Sequence, residues 1–127
     1  MTSVLADTRA VIWYLLDQTK LSSVTLQALS AAERNHRLFV SAITLVEIRL
    51  EVEAGRLPQS VWEGLREAVA HSRRLTVLPV DASVADALAQ MAPTNQPDMP
   101  GRIIAATAVA HELRVVSETR AELPPQA

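Results

Sequence analysis

Three acidic residues that lie far apart in the sequence carry the candidate chemistry of this chain: Asp7, Glu47 and Asp98. Asp7 ends the short apolar run 3–6 and directly precedes a second apolar run that suits a helix. A short apolar run before a break favours a buried strand. Asp7 is therefore predicted at the carboxyl end of an early strand, where ligands and reactive groups gather in open α/β sheets. The alternative is that Asp7 only caps the helix that follows it.

Glu47 lies within a third predicted helix, from about residue 42 to residue 54, with Gly55 as its stop. Helical spacing places Glu47 on the same face as Ile43 and Leu50, which are expected to point inward. An ionised carboxylate in such surroundings costs several kcal/mol unless it is paired or binds a cation. The alternative is a partly exposed Glu47 at the rim of the helix.

Asp98 precedes an alanine-rich apolar segment and is predicted to cap a helix that begins near Met99. Pro100 in the first turn agrees with that start. Capping alone would explain Asp98. However, an alanine-rich helix can pack very closely on a sheet, and this would hold its N-terminus near the strand ends where Asp7 is expected.

The elements that must position these residues alternate along the chain. Apolar runs near 3–6, 38–40, 75–80 and 113–117 are predicted strands, and the segments between them have helical patterns. This alternation predicts an α/β fold with a central parallel sheet of four to five strands flanked by helices. We expect one domain over residues 1–123 and a disordered tail over residues 124–127.

Composition narrows the possible functions. The chain has 127 residues, a net charge of −2 and no cysteine. Disulfides and cysteine metal sites are excluded, and the charge gives no global basic field to attract nucleic acid. Eleven arginines against the single Lys20 could still form a local phosphate-binding patch, although an arginine-rich genome would explain them as well. No apolar run reaches the roughly 18 residues of a membrane span, and no signal sequence is visible, so we expect a cytoplasmic protein.

Three blocks in a fixed order give the sequence a family resemblance. They are residues 4–15, which contain Asp7, residues 40–48, which contain Glu47, and residues 98–108, which begin with Asp98. The order and spacing of these blocks resemble the PIN-domain nucleases, and most of all the toxin components of VapBC-type toxin–antitoxin modules. The resemblance covers nearly the whole chain.

The resemblance implies a metal-dependent endoribonuclease that a cognate VapB-type antitoxin inhibits. It assigns Asp7, Glu47 and Asp98 as catalytic residues and as ligands of Mg²⁺ or Mn²⁺, with RNA as the substrate. It further implies a homodimer and a toxin–antitoxin hetero-oligomer. The chemistry is consistent with the residues, since Mg²⁺ prefers oxygen ligands and a bound metal promotes attack of water on a phosphodiester. Clustered carboxylates repel one another, so the metal-free site should contain at least one raised pKa.

The sequence departs from the family pattern at two acidic positions. The family usually has an aspartate directly before the arginine of the third block, where this chain has Gly101 before Arg102. A further aspartate usually follows the last strand, where this chain has Thr119, with Glu118 beside it. Asp98 must then supply the third carboxylate, with Glu118 as a candidate helper.

Two other functions compete with the nuclease hypothesis. The first is a catalytically impaired PIN domain that binds antitoxin or RNA without cutting, which Gly101 favours. The second is a small phosphoacceptor domain that uses Asp7, but such a domain would need a lysine late in the chain and the chain has only Lys20. Thr8 and Ser41 could bond to site carboxylates, although turn capping is the more common role for such residues.

Overall fold

The structure is a computed structural model that describes residues 3–71, 73–93 and 98–118. Its four strands are β1 (Val4–Ala6), β2 (Leu38–Ser41), β3 (Thr76–Leu78) and β4 (Arg114–Val116). Its six α-helices are α1 (Thr8–Leu16), α2 (Ser23–Arg34), α3 (Ala42–Glu53), α4 (Gln59–Ala70), α5 (Ala82–Gln90) and α6 (Met99–Ala110). The strands form one sheet in the order β3-β2-β1-β4, and every pairing is parallel. The α/β fold predicted from the sequence is confirmed.

The first strand is central to the sheet. Val4 pairs with Leu38 of β2 on one side and with Arg114 of β4 on the other. All three residues of β1 are buried, as expected for a strand that helices cover on both faces. The backbone N–H of Asp7 donates to Val116 O at 3.0 Å, so β4 still holds the chain where β1 ends. The carboxylate of Asp7 consequently starts from a rigid position.

Side chains of β1 alternate between two cores. Val4 and Ala6 pack into the larger core, which includes Ile12 of α1, Ile48 of α3 and Leu65 of α4. Leu5 points to the opposite face and packs against Ile104 and Ala108 of α6. This alternation is the two-residue period of a strand, and it places α6 on the face of the sheet opposite to α1.

Side-chain caps begin five of the helices, and the caps predicted at Asp7 and Asp98 are among them. The side chains of Asp7, Ser22, Ser41, Asp81 and Asp98 each accept a hydrogen bond from a backbone N–H in the first turn of the helix they precede. At the other end of α3, Gly55 has φ +79°, the left-handed conformation that commonly follows a helix.

One prediction about a particular segment was wrong. Leu50 does not point inward, since 57% of it is exposed, and the buried residues of α3 are Thr44 and Ile48. Ile43 is partly buried and packs against the core that contains Leu5, as predicted. The fully buried residues lie one position after Ile43 and Glu47, a rotation of about 100°, so Glu47 stands at the edge of the buried stripe. The polar connection after α1 also contains a short 3₁₀-helix, Gln18–Lys20, which the side chain of Asp17 caps.

Two expectations about the whole chain have different outcomes. In the described residues, no helix is both long enough and apolar enough to cross a membrane. The predicted tail, residues 124–127, and the predicted domain end at residue 123 lie outside the described residues, so both stay predictions.

Candidate active site

A cavity of about 480 Å³ opens where β1 and β4 end and α6 begins. The three acidic residues singled out in the sequence, Asp7, Glu47 and Asp98, all line it. They come from the end of β1, the middle of α3 and the start of α6. The parallel sheet explains this meeting, because the carboxyl ends of its strands share one edge.

Asp7 reaches the cavity while it also caps α1. Its Oδ1 accepts a hydrogen bond of 2.9 Å from the backbone N–H of Ala10. Burial raises the pKa of Asp7 above its ordinary value, the bond from Ala10 and the charge of Arg9 lower it, and the charge of Glu118 raises it. Capping and a place in the cavity are therefore compatible, although the sequence treated them as alternatives.

Glu47 is half-buried and is held by a hydroxyl from another helix. Thr8 Oγ1 donates to Glu47 Oε1 at 2.5 Å, which joins the first turn of α1 to α3. Burial raises the pKa of Glu47, the bond from Thr8 lowers it, and the charges of Asp98 and Asp7 raise it. Thr8 thus bonds to a site carboxylate, the role that the sequence ranked second, whereas Ser41 caps α3 as expected.

Asp98 is exposed at the rim of the cavity and caps α6. Its Oδ1 accepts from the backbone N–H of Gly101 at 3.1 Å. Gly101 has no side chain, and a Cβ built on it would collide with the Asp98 carboxyl group. Gly101 itself lines the cavity, so the Asp98 carboxylate lies over the position where the family usually has an aspartate.

Glu118 is a fourth acidic residue of the cavity, and sequence reasoning gave it only a supporting place. Only 4% of Glu118 is exposed, and its Oε2 accepts from the backbone N–H of Ser22 at 2.8 Å. Its position two residues after β4 was the available signal. The other expected acidic position, Thr119, lies outside the described residues.

The donor set suits a hard divalent cation. The cavity offers carboxylate oxygens from Asp7, Glu47, Asp98 and Glu118 and hydroxyl groups from Thr8 and Ser117, and its one basic lining residue among the described residues is Arg9. Among the described residues, no three acidic or imidazole side chains are gathered closely enough to hold one ion together. This spread is compatible with Mg²⁺, which binds through one or two carboxylates and keeps several waters.

The expected raised pKa is present, but its main cause differs from the expected one. The pKa values of both Asp7 and Glu47 are raised, and burial contributes more than repulsion between carboxylates in each case. The reason is that the acidic groups stand apart, whereas much of Asp7 and of Glu47 is covered by the surrounding protein. Desolvation penalises a single charge even when no other charge is near.

Comparison with known proteins agrees with this architecture. A family model described as PIN domain matches residues 4–120. The chain is 31% identical to Ribonuclease VapC22 of Mycobacterium tuberculosis over 122 residues, which covers 94% of this chain and 89% of that protein. Its fold is similar to a chain in the crystal structure of VapBC2 from Rickettsia felis bound to a DNA fragment from their promoter, with a TM-score of 0.65 and 14% identity. That match covers 88% of this chain and 84% of the other chain. The extent of the family match and the identity to VapC22 together show that this chain belongs to the PIN domain family, as a VapC-like member of it.

Proposed function

We propose that this protein is a metal-dependent endoribonuclease, the toxin of a type II toxin–antitoxin pair. One observation carries the proposal: Asp7, Glu47 and Asp98, from three separate elements, open into one cavity at the carboxyl edge of the sheet. The similarity to Ribonuclease VapC22 supports RNA as the substrate.

Asp7, Glu47 and Asp98 would hold Mg²⁺ or Mn²⁺, one or two of them by direct bonds and the rest through waters of the ion. The bound cation would supply a Lewis acid and would lower the pKa of a water that attacks the phosphodiester. Asp7 starts from a backbone fixed by β4, and the Thr8 hydroxyl fixes one oxygen of Glu47, so both carboxylates are oriented before a ligand arrives. Arg9 lies in the same cavity, and its guanidinium suits a phosphate oxygen of the substrate.

The structural comparison supports a protein partner. The structural neighbour is a VapBC2 assembly, which supports a VapB-type antitoxin as the partner of this chain. We propose that the antitoxin inhibits cleavage, that the protein acts in the cytoplasm, and that it forms a homodimer and a hetero-oligomer with the antitoxin.

A catalytically impaired PIN domain that binds antitoxin or RNA is the second candidate. Its support is that, within the described residues, no three acidic groups are gathered around one point. Gly101 adds to that support, because it removes the usual carboxylate from α6 itself. The phosphoacceptor hypothesis has no such observation in its favour.

Cleavage of total RNA in Mg²⁺ or Mn²⁺ tests the two candidates. The parent should cut, chelation should stop it, and Asp7→Asn should reduce cleavage to background because the amide keeps the cap but removes the charge. The matched control is Asp81→Asn. Asp81 also caps a helix through its side chain but is not among the residues that line the cavity, so its variant should cut like the parent.

An inactive parent would favour the impaired domain. Equal cleavage by the parent and Asp7→Asn would remove Asp7 from the mechanism. Loss of cleavage in Asp81→Asn as well would attribute the effect to a helix cap and not to the site.

A further inference from the structure

The start of α6 contains a steric relationship between a carboxylate and a missing side chain. An ideal Cβ placed on Gly101 would lie 2.8 Å from Asp98 Cγ and 3.2 Å from Asp98 Oδ1, and closer still to Oδ2. Carbon atoms do not approach within 2.8 Å without a bond. The Asp98 carboxyl group therefore fills the volume that a side chain at position 101 would occupy.

Backbone conformation does not explain the glycine. Among the described glycines, only Gly55 has a positive φ, so Gly101 has a backbone that any residue can adopt. A glycine inside a helix is unfavourable relative to alanine, which makes its presence in the first turn costly. The structural consequence of the glycine is that the Asp98 carboxyl group can take this position, since a side chain at residue 101 would displace it.

We infer that Asp98 and Gly101 act as one unit, in which the absent side chain at position 101 lets the Asp98 carboxylate take the place of the acidic group of α6 in the cation site. Gly101 is then a positioning residue and Asp98 the ligand. The inference rests on the proposed function, since it concerns the same cation site.

If Asp98 and Gly101 act as one unit, a carboxylate introduced at position 101 would not increase the number of carboxylates at the site. If nothing else moved, Gly101→Asp would add one negative group to Asp7, Glu47 and Asp98. In the structure, the new Cβ alone must displace the Asp98 side chain. The substitution should therefore exchange one carboxylate for another and leave the number at the site unchanged.

Two readouts test the unit in the full-length protein. The first needs no metal: it is the hydrogen exchange rate of the backbone amide of residue 101. This amide donates a hydrogen bond to the Asp98 side chain. In Gly101→Ala this exchange should be about fivefold faster, the factor that corresponds to the roughly 1 kcal/mol lost with a helix cap. The second is Mn²⁺ affinity by calorimetry, which should fall about tenfold, as when other groups that orient a ligand are removed.

The chain supplies a matched control in Gly64, which lies inside α4. A Cβ added there meets nothing within 4 Å, and its φ is not positive. Gly64→Ala should leave Mn²⁺ affinity unchanged. The complementary variant is the double substitution Asp98→Ser with Gly101→Asp, in which serine keeps the cap and the carboxylate moves to position 101. Asp98→Ser alone should bind Mn²⁺ weakly, and the double variant should recover affinity toward that of the parent.

Each result decides between the inference and the proposed function. If Gly101→Ala keeps the Mn²⁺ affinity or the amide protection of the parent, the inference fails and the proposed function stands. The same holds if the double variant binds Mn²⁺ no more tightly than Asp98→Ser. A parent that binds no Mn²⁺ overturns the proposed function, whatever the amide exchange shows. The inference is supported if Mn²⁺ affinity falls in Gly101→Ala, stays unchanged in Gly64→Ala and recovers in the double variant.

Discussion

The hydroxyl oxygens of Thr8 and Thr44 lie 2.9 Å apart, which joins the first turn of α1 to the buried face of α3 beside the cavity. The same Thr8 oxygen donates its one proton to Glu47. A hydroxyl has a single proton, so Thr44 must be the donor to Thr8. Two hydroxyls in series therefore orient Glu47, and Thr44 at the far end is completely buried.

Thr8→Val should weaken Mn²⁺ binding about tenfold, as the loss of a group that orients a ligand does. Without the Thr8 hydroxyl, the pKa of Glu47 rises further, because that bond lowers it now. Protons then compete better with the cation, so the loss should be larger at pH 6 than at pH 8. Thr8→Ser retains the hydroxyl and should bind like the parent. Calorimetry at both pH values checks this, and equal affinity of Thr8→Val and the parent would contradict it.

Asp7→Asn should make the metal-free protein more stable than the parent at pH 7. Burial raises the pKa of Asp7 in the folded state above its unfolded value. Between those two values the folded state binds more protons than the unfolded state, so parental stability falls as pH rises through this range. The advantage of Asp7→Asn should therefore be present at neutral pH and vanish below about pH 4, the ordinary carboxyl pKa. Urea unfolding across this range measures it, and a constant difference at all pH values would contradict the explanation.

Glu118→Ala should lower the free energy of unfolding by about 2 kcal/mol, the scale of a buried hydrogen bond to a charged group. In a capping box, an acid three residues into the helix binds the N–H of the cap residue. In α2 that position is Thr25, which is not acidic. The Ser22 N–H donates instead to Glu118, two residues after β4.

Two comparisons separate this structural role of Glu118 from metal binding. Glu63→Ala, at an exposed position of α4, should change stability by less than about 0.5 kcal/mol. Glu118→Gln retains an acceptor oxygen and should keep most of the stability as well as the Mn²⁺ affinity. A large loss of Mn²⁺ affinity in a stable Glu118→Gln protein would instead make Glu118 a ligand.

Tyr14→Phe should lower the free energy of unfolding by about 1–2 kcal/mol at pH 7. Tyr14 is buried and donates to Glu33, which also accepts from Arg74, so three segments meet at one carboxylate. Burial alone would raise the pKa of Glu33, but the bonds from Arg74 and Tyr14 outweigh it and lower the pKa. The stabilisation is therefore present above the ordinary carboxyl pKa and is lost as pH falls through the lowered value.

The exposed ion pair of Arg49 and Glu53 serves as a control, since removing it should change stability much less than Tyr14→Phe does. It joins residues four apart on α3, at 3.2 Å. Water screens such a pair, so Glu53→Gln should cost less than about 0.5 kcal/mol. The difference in unfolding free energy between the parent and Tyr14→Phe should narrow only as pH falls below the ordinary carboxyl pKa of about 4.3, which unfolding measurements from pH 7 downward would show. A gap that stays constant would mean that ring packing and not the carboxylate sets the cost.

The sequence by itself determined the elements and the place of Asp7. Apolar runs of strand length predicted β1, β2 and β4 to within a residue or two, and Asp7 and Asp98 marked helix starts. These features are local, because a cap bonds to a backbone N–H two or three residues away and periodicity needs only one element. That Asp7, Glu47 and Asp98 would belong to one site was implied by the family resemblance and not by periodicity.

Only the tertiary structure decided how the carboxylates are held. It showed Leu50 outside and Thr44 inside, because the neighbours that cover α3 come from elsewhere in the chain. The bonds from Thr8 to Glu47 and from Ser22 to Glu118 span 39 and 96 residues, a separation that no local pattern encodes. The meaning of Gly101 likewise depends on a volume that Asp98 fills, and volumes exist only once the chain is folded.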